Sequence, residues 1–112
     1  ARQHAFAPYS QYRVGAAVLT SQGHIYRGCN VENKSYSLTI CAERAAVFNA
    51  IQAGEQDFEA LAIATEDGAA PCGACRQVLA EFAPDLSILI VTAQTPPTST
   101  KTSLKLLFPD HF

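Results

Sequence analysis

The chain has 112 residues, of which 48% are apolar and 16% charged, with a formal net charge of -2. That length suits a single domain, residues 1–112, whose small core would gain from a bound metal or from self-association. A pI near 5.8 with scattered Lys and Arg argues against a nucleic-acid partner, and no run approaches the ~18 apolar residues of a membrane span.

Residues 1–6 read as the end of a helix, followed by a stretch carrying Pro8, Tyr9 and Tyr12. Val14–Thr20 is rich in Val and Ala and predicts a strand. Ser21-Gln22-Gly23 signals a turn, and His24–Val31 is the returning strand of a hairpin. Glu32–Thr39 is polar and aromatic, as a loop would be. Cys41–Ala53 places Ala, Val, Phe and Ile at helical spacing, with Gly54 as its stop. Phe58–Thr65 predicts a buried strand, and Glu66–Pro71 a loop. Cys72–Phe82 predicts a second helix with Val78, Leu79 and Phe82 on one face. Leu86–Thr92 is another buried strand, Gln94–Thr102 a loop or short edge strand, and Ser103–Phe108 a short helix stopped by Pro109. The order β-β-α-β-α-β with a terminal helix implies an α/β fold in which helices cover a mixed sheet in layers.

The chemistry concentrates in Cys41-Ala42-Glu43-Arg44 and Pro71-Cys72-Gly73-Ala74-Cys75. With no secretory signal in view, C-x-x-C spacing points to metal or redox chemistry in a reducing compartment such as the cytoplasm. Both stretches open a predicted helix, where unpaired N–H groups and a partial positive charge favour the thiolates that a metal needs. Cys41, Cys72 and Cys75 can hold one Zn²⁺ and leave a fourth position for water, the arrangement of a catalytic zinc. Glu43 beside them can take a proton from that water and hand it on. Three thiolates and Zn²⁺ sum to -1, an excess that a guanidinium donating to sulfur would offset. Arg44 is favoured over Arg76 for that role. A redox Cys72/Cys75 pair is the weaker reading because Cys41 and Glu43 would then be idle. A closed structural zinc lacks a fourth ligand, since His4, His24 and His111 show no ligand spacing. Cys29 lies in a predicted strand and reads as a buried thiol.

Tyr9-Ser10-x-Tyr12-x-Val14-Gly15-Ala16-Ala17, then Gly28-Cys29-Asn30-Val31-Glu32-Asn33, Cys41-Ala42-Glu43-Arg44 and Pro71-Cys72-Gly73-Ala74-Cys75-Arg76-Gln77 resemble the small homotetrameric cytidine deaminases. The motifs fall in family order over nearly the whole chain. The resemblance implies a three-layer α/β/α sandwich and conversion of cytidine or deoxycytidine to the uridine product with release of ammonia, a pyrimidine-salvage reaction. It implies zinc on Cys41, Cys72 and Cys75. Glu43 would then move protons between water, base N3 and the leaving amine. It further implies Asn30 and Glu32 on the ribose 3′-hydroxyl, the Ala42 N–H on the base, and Tyr12 packing near the base where the family commonly has Phe. Phe112, in a C-terminal motif Leu107-Phe108-Pro109-x-x-Phe112, would reach a neighbouring subunit's site. Two departures stand out: Ala70 replaces the usual Ser before Pro-Cys, and the family's N-terminal helix is short or absent. The alternatives are a deaminase of another cytosine-bearing small molecule, such as blasticidin S, and a non-catalytic zinc-stabilised interaction module.

Overall fold

The computed structural model describes residues 1–94 and 96–110. Chain order gives β1 (Gly15–Thr20), β2 (Ile25–Cys29), α1 (Ala42–Gln52), β3 (Phe58–Thr65), α2 (Gly73–Phe82), β4 (Ser87–Thr92), β5 (Ser99–Ser103) and α3 (Leu104–Leu107). The strands form one sheet in the order β2-β1-β3-β4-β5, with β3 and β4 parallel and the other neighbours antiparallel. A parallel pair needs a crossover, which α2 supplies between β3 and β4. The α/β class with a mixed sheet is the one expected, and the Pro- and Thr-rich stretch resolves into β5, an edge strand.

Strand alternation decides which side chains meet the helices. Val18, Leu61 and Ile88 stand in register across β1, β3 and β4, as do Ala16 and Ile63 across β1 and β3. They join Ala42, Ala46, Val47 and Ala50 of α1, Leu79 and Ala80 of α2, and Leu104 of α3 in one core. Each fully buried aliphatic side chain there contributes about 1.5–3 kcal/mol. On the other face, Ala17, Ala62 and Leu89 align and are only partly buried. A hollow of about 370 Å³ lies over them, and it includes Lys101 but no acid, imidazole or thiol.

Gly28 lets α1 lie directly on β2. A Cβ at that position would sit 2.4 Å from both Ala42 O and Ala46 N. This approach fixes the N-terminal end of α1, where Cys41 stands. The expected helix end at residues 1–6 is instead a 3-10 turn over Arg2–His4. Beyond it the chain is drawn into sheet-like pairing: Phe6 N donates to Asn30 O at 2.9 Å and Glu32 N to Phe6 O at 2.8 Å. Extended pairing of this kind is incompatible with continued helix. No helix among the described residues is long and apolar enough to cross a membrane.

Candidate active site

Cys41 is the N-cap of α1 and Cys72 the N-cap of α2, both with extended backbone, and Cys75 follows in the first turn of α2. The two helix starts therefore aim their thiols at one point. The Cys41 and Cys72 sulfurs lie 3.7 Å apart and those of Cys72 and Cys75 3.4 Å apart, with all three within 4.8 Å of one another. Tetrahedral zinc with bonds of about 2.3 Å would hold sulfurs about 3.8 Å apart, so the cluster fits Zn²⁺. Cys29 is not part of it; it is half-buried in β2.

The electrostatics favour a cation. Hydrogen bonding from Cys75, and then from Arg44 and Cys72, draws the Cys41 thiol down to about 5 against the cost of burial. Cys75 is pushed up, first by the bond to Cys41 and then by burial and the Glu43 charge. Arg44 Nη2 donates to Cys41 Sγ at 3.3 Å, and that bond raises the already high pKa of the guanidinium. Arg76 faces elsewhere. Its Nε donates to Pro71 O and its Nη1 to Leu107 O, both at 2.8 Å, tying the start of α2 to α3. Glu43 is 4% exposed. Burial raises its pKa first and the Cys41 charge second, while Arg44 pulls the other way.

A cavity of about 270 Å³ opens beside the thiols, and Tyr12, Asn30, Glu32, Ala42 and Glu43 all line it, together with Ala70. The structure gives Asn30 and Glu32 a task that residue type alone did not reveal. They hold the strap of residues 8–14 over the cavity. Asn30 Oδ1 accepts from Val14 N at 2.9 Å, and its Nδ2 donates to Tyr12 O at 2.8 Å. Glu32 Oε1 accepts from Tyr9 N and Ser10 N at 3.0 and 3.1 Å, and Oε2 from the Ser10 hydroxyl. These bonds, the Ser10 hydroxyl first, hold the Glu32 carboxyl below its usual range.

Sequence reasoning missed Ser10 and Thr65, which line the cavity, and Asp67, which bonds Tyr12 from beside it. Ser10 carried a signal, since it sits inside the first motif. Asp67 carried none: its carboxylate accepts from the Tyr12 hydroxyl across 55 positions of chain. Phe112 lies outside the described residues. Of the apolar C-terminal segment, Leu104 is buried and Leu106 is 75% exposed.

A family model described as the cytidine and deoxycytidylate deaminase zinc-binding region matches residues 1–91. The cytidine deaminase of Sporosarcina psychrophila is 56% identical over 84 residues, covering 73% of this chain and 62% of that protein. That of Halalkalibacterium halodurans is 51% identical over 86 residues, covering 75% of this chain and 65% of that protein. The chain thus spans less than two thirds of either relative. The crystal structure of cytidine deaminase from Burkholderia pseudomallei matches with a TM-score of 0.93 at 46% identity, over 99% of this chain and 90% of that one. With thiol cluster, buried carboxylate and fold in agreement with these matches, the chain belongs to the cytidine deaminase family.

Proposed function

We propose that the chain, as one domain, hydrolyses the amine of cytidine, deoxycytidine or both, giving the uridine product and ammonia. The observation that carries this reading is that a zinc-fitting thiol cluster and the buried Glu43 share one cavity with Asn30 and Glu32. Cys41, Cys72 and Cys75 would hold the metal. Zinc, when bound, supplies Lewis-acid activation of a water nucleophile. Glu43 takes the proton from that water and delivers it to N3 of the base; it then takes the proton of the hydroxyl added at C4 and gives it to the leaving nitrogen. A carboxylate whose pKa is raised by burial suits a group that must both accept and donate. Arg44 offsets the negative charge of the thiolates from its place on Cys41.

Asn30 and Glu32 orient the ribose. Glu32 Oε2 accepts from the Ser10 hydroxyl, and a carboxylate oxygen has a second acceptor position to offer a sugar hydroxyl. The Ala42 N–H, in the first turn of α1, lacks an intrahelical partner and is placed to meet the base. Tyr12 forms part of the wall. The setting is cytoplasmic pyrimidine salvage by a homotetramer in which Phe112 of one subunit completes a neighbour's site. Exposed Leu106, exposed Phe6 before the strap, Tyr9 on the strap, and Tyr36 and Leu38 on the loop before α1 support contacts between copies.

The test is ammonia release from cytidine, deoxycytidine, cytosine and single-stranded DNA, before and after chelation. Turnover of one or both nucleosides, lost on chelation, is expected, with no reaction on DNA. A zinc-loaded chain inert toward both nucleosides would overturn the reading. Sedimentation at the mass of one chain, with full activity, would remove the homotetramer.

A further inference from the structure

We propose that Asp67 is a positioning residue of the nucleoside pocket: by gripping the Tyr12 hydroxyl, it ties the strap over the cavity to the loop that leads into Cys72. The inference rests on the deaminase reading of that pocket and adds to it a residue outside the thiol and carboxylate machinery.

The strap, residues 8–14, is held on one side by Asn30 and Glu32, which both follow β2. It contains Gln11 at φ 58, left-handed backbone that a non-glycine residue holds only where its surroundings impose it. Tyr12 follows directly, its N–H donating to the Ser10 hydroxyl at 3.0 Å. The Tyr12–Asp67 bond is the tether to the other side of the pocket. Burial, and then Asp67 itself, raises the pKa of the Tyr12 hydroxyl, so it remains a donor at neutral pH.

Asp67 stands on a firm base. Thr65, 2% exposed at the end of β3, accepts from Gly68 N at 2.7 Å and Ala69 N at 2.9 Å. Gly68 has φ +80, and a Cβ there would lie 2.7 Å from Thr92 Cγ2, so the turn is seated tightly against β4. The same loop continues through Ala69 and Ala70, which line the cavity, to Cys72. Tyr12 is therefore fixed at its backbone by Asn30 and at its hydroxyl by Asp67, with its ring between. A tyrosine so held presents an ordered wall, and substrate need not order it on binding.

The test compares Asp67→Ala, Asp67→Asn, Tyr12→Phe and the Tyr12→Phe/Asp67→Ala double variant in the zinc-loaded full chain. The readouts are KM and kcat for cytidine, the Kd of the product uridine by calorimetry, and melting temperature. Asp67 is exposed, so the hydrogen bond sits at the weaker end of its range, and Asp67→Ala is expected to raise KM and the uridine Kd about fivefold. The change in kcat should be smaller. Asp67→Asn keeps an acceptor oxygen and should recover most of the loss, and the double variant should be no worse than the poorer single one. Wild-type KM and Kd in Asp67→Ala, even with a lowered melting temperature, would overturn the proposal. So would additive losses in the double variant, or Asp67→Asn behaving like Asp67→Ala. If the zinc-loaded wild type neither turns over cytidine nor binds uridine, the deaminase reading falls and the pocket role of Asp67 falls with it. An active wild type with an unaffected Asp67→Ala sinks the Asp67 role alone.

Discussion

Gly28→Ala should damage the metal centre from a strand that contributes no ligand. The added Cβ would start 2.4 Å from Ala42 O and Ala46 N, whereas ordinary contact begins at 3.4 Å. Both atoms are backbone of α1, so no side chain can swing away. The helix must retreat by about 1 Å, or β2 must bend outward, and overpacking of this kind costs about 1–3 kcal/mol. In a domain of this size that lowers the melting temperature by at least about 4 °C. The retreat also carries Cys41 and Glu43 away from Cys72 and Cys75, because the former ride on α1 and the latter on α2. Metal-site distances tolerate only about 0.2 Å, and a misplacement of about 1 Å can cost roughly 100-fold in rate. Zinc affinity by competition with a chromogenic chelator, cytidine turnover and thermal melting would all be measured. A Gly28→Ala protein with wild-type zinc affinity, turnover and melting temperature would refute the claim that close packing of α1 on β2 positions the site.

Glu43→Gln should keep the zinc and the fold while turnover drops by ~10²–10⁴-fold or more, since the amide cannot relay a proton. Its folded-state pKa is raised, so ionisation costs stability above the usual carboxylate range, and the neutral amide should melt no lower than wild type in the metal-free protein; half the wild-type rate would contradict the role. Arg44→Ala should weaken zinc binding or slow turnover, and Arg44→Lys should restore only part, because an ammonium cannot reproduce the planar fork at Cys41. Wild-type zinc affinity and rate in both variants would leave Arg44 with packing alone. Glu55, 8% exposed, accepts from the Tyr26 hydroxyl and faces His24 Nδ1 at 2.9 Å. Its carboxyl is held below the usual range, the Thr20 hydroxyl being the first cause. The stability it adds is therefore complete above the unfolded pKa of about 4.3 and is lost as pH falls through the lower folded value. Urea titrations of Glu55→Gln should show a flatter loss of stability over that acid range, and an unchanged slope would refute the assignment.

The thiol cluster was legible in the sequence because its logic is local. A thiol at a helix start is recognisable from Cys41-Ala42-Glu43-Arg44 and Pro71-Cys72-Gly73-Ala74-Cys75, and spacing alone says which residues share a helix turn. Helix and strand periodicity likewise located the main elements to within a residue or two, since period and turn chemistry are properties of short windows. The choice between Arg44 and Arg76 was less secure from sequence, because both follow ligands; it depended on which guanidinium the packing turns toward sulfur and which toward α3. The start of the chain was misread for the same reason. Phe6 leaves the helical path to pair beside Asn30 and Glu32, and a partner more than twenty positions away has no signature in a local window.

Sequence by itself therefore determined that Cys41, Cys72, Cys75 and Glu43 stand at two helix starts, and it determined the class of fold, each encoded within a turn or two of chain. Tertiary structure alone decided that Asn30, Glu32 and Asp67 converge on one strap, and that Gly28 admits α1 to β2. Those are contacts between segments far apart in sequence, set by how side chains fill space once the sheet has closed, and no short window of residues contains them.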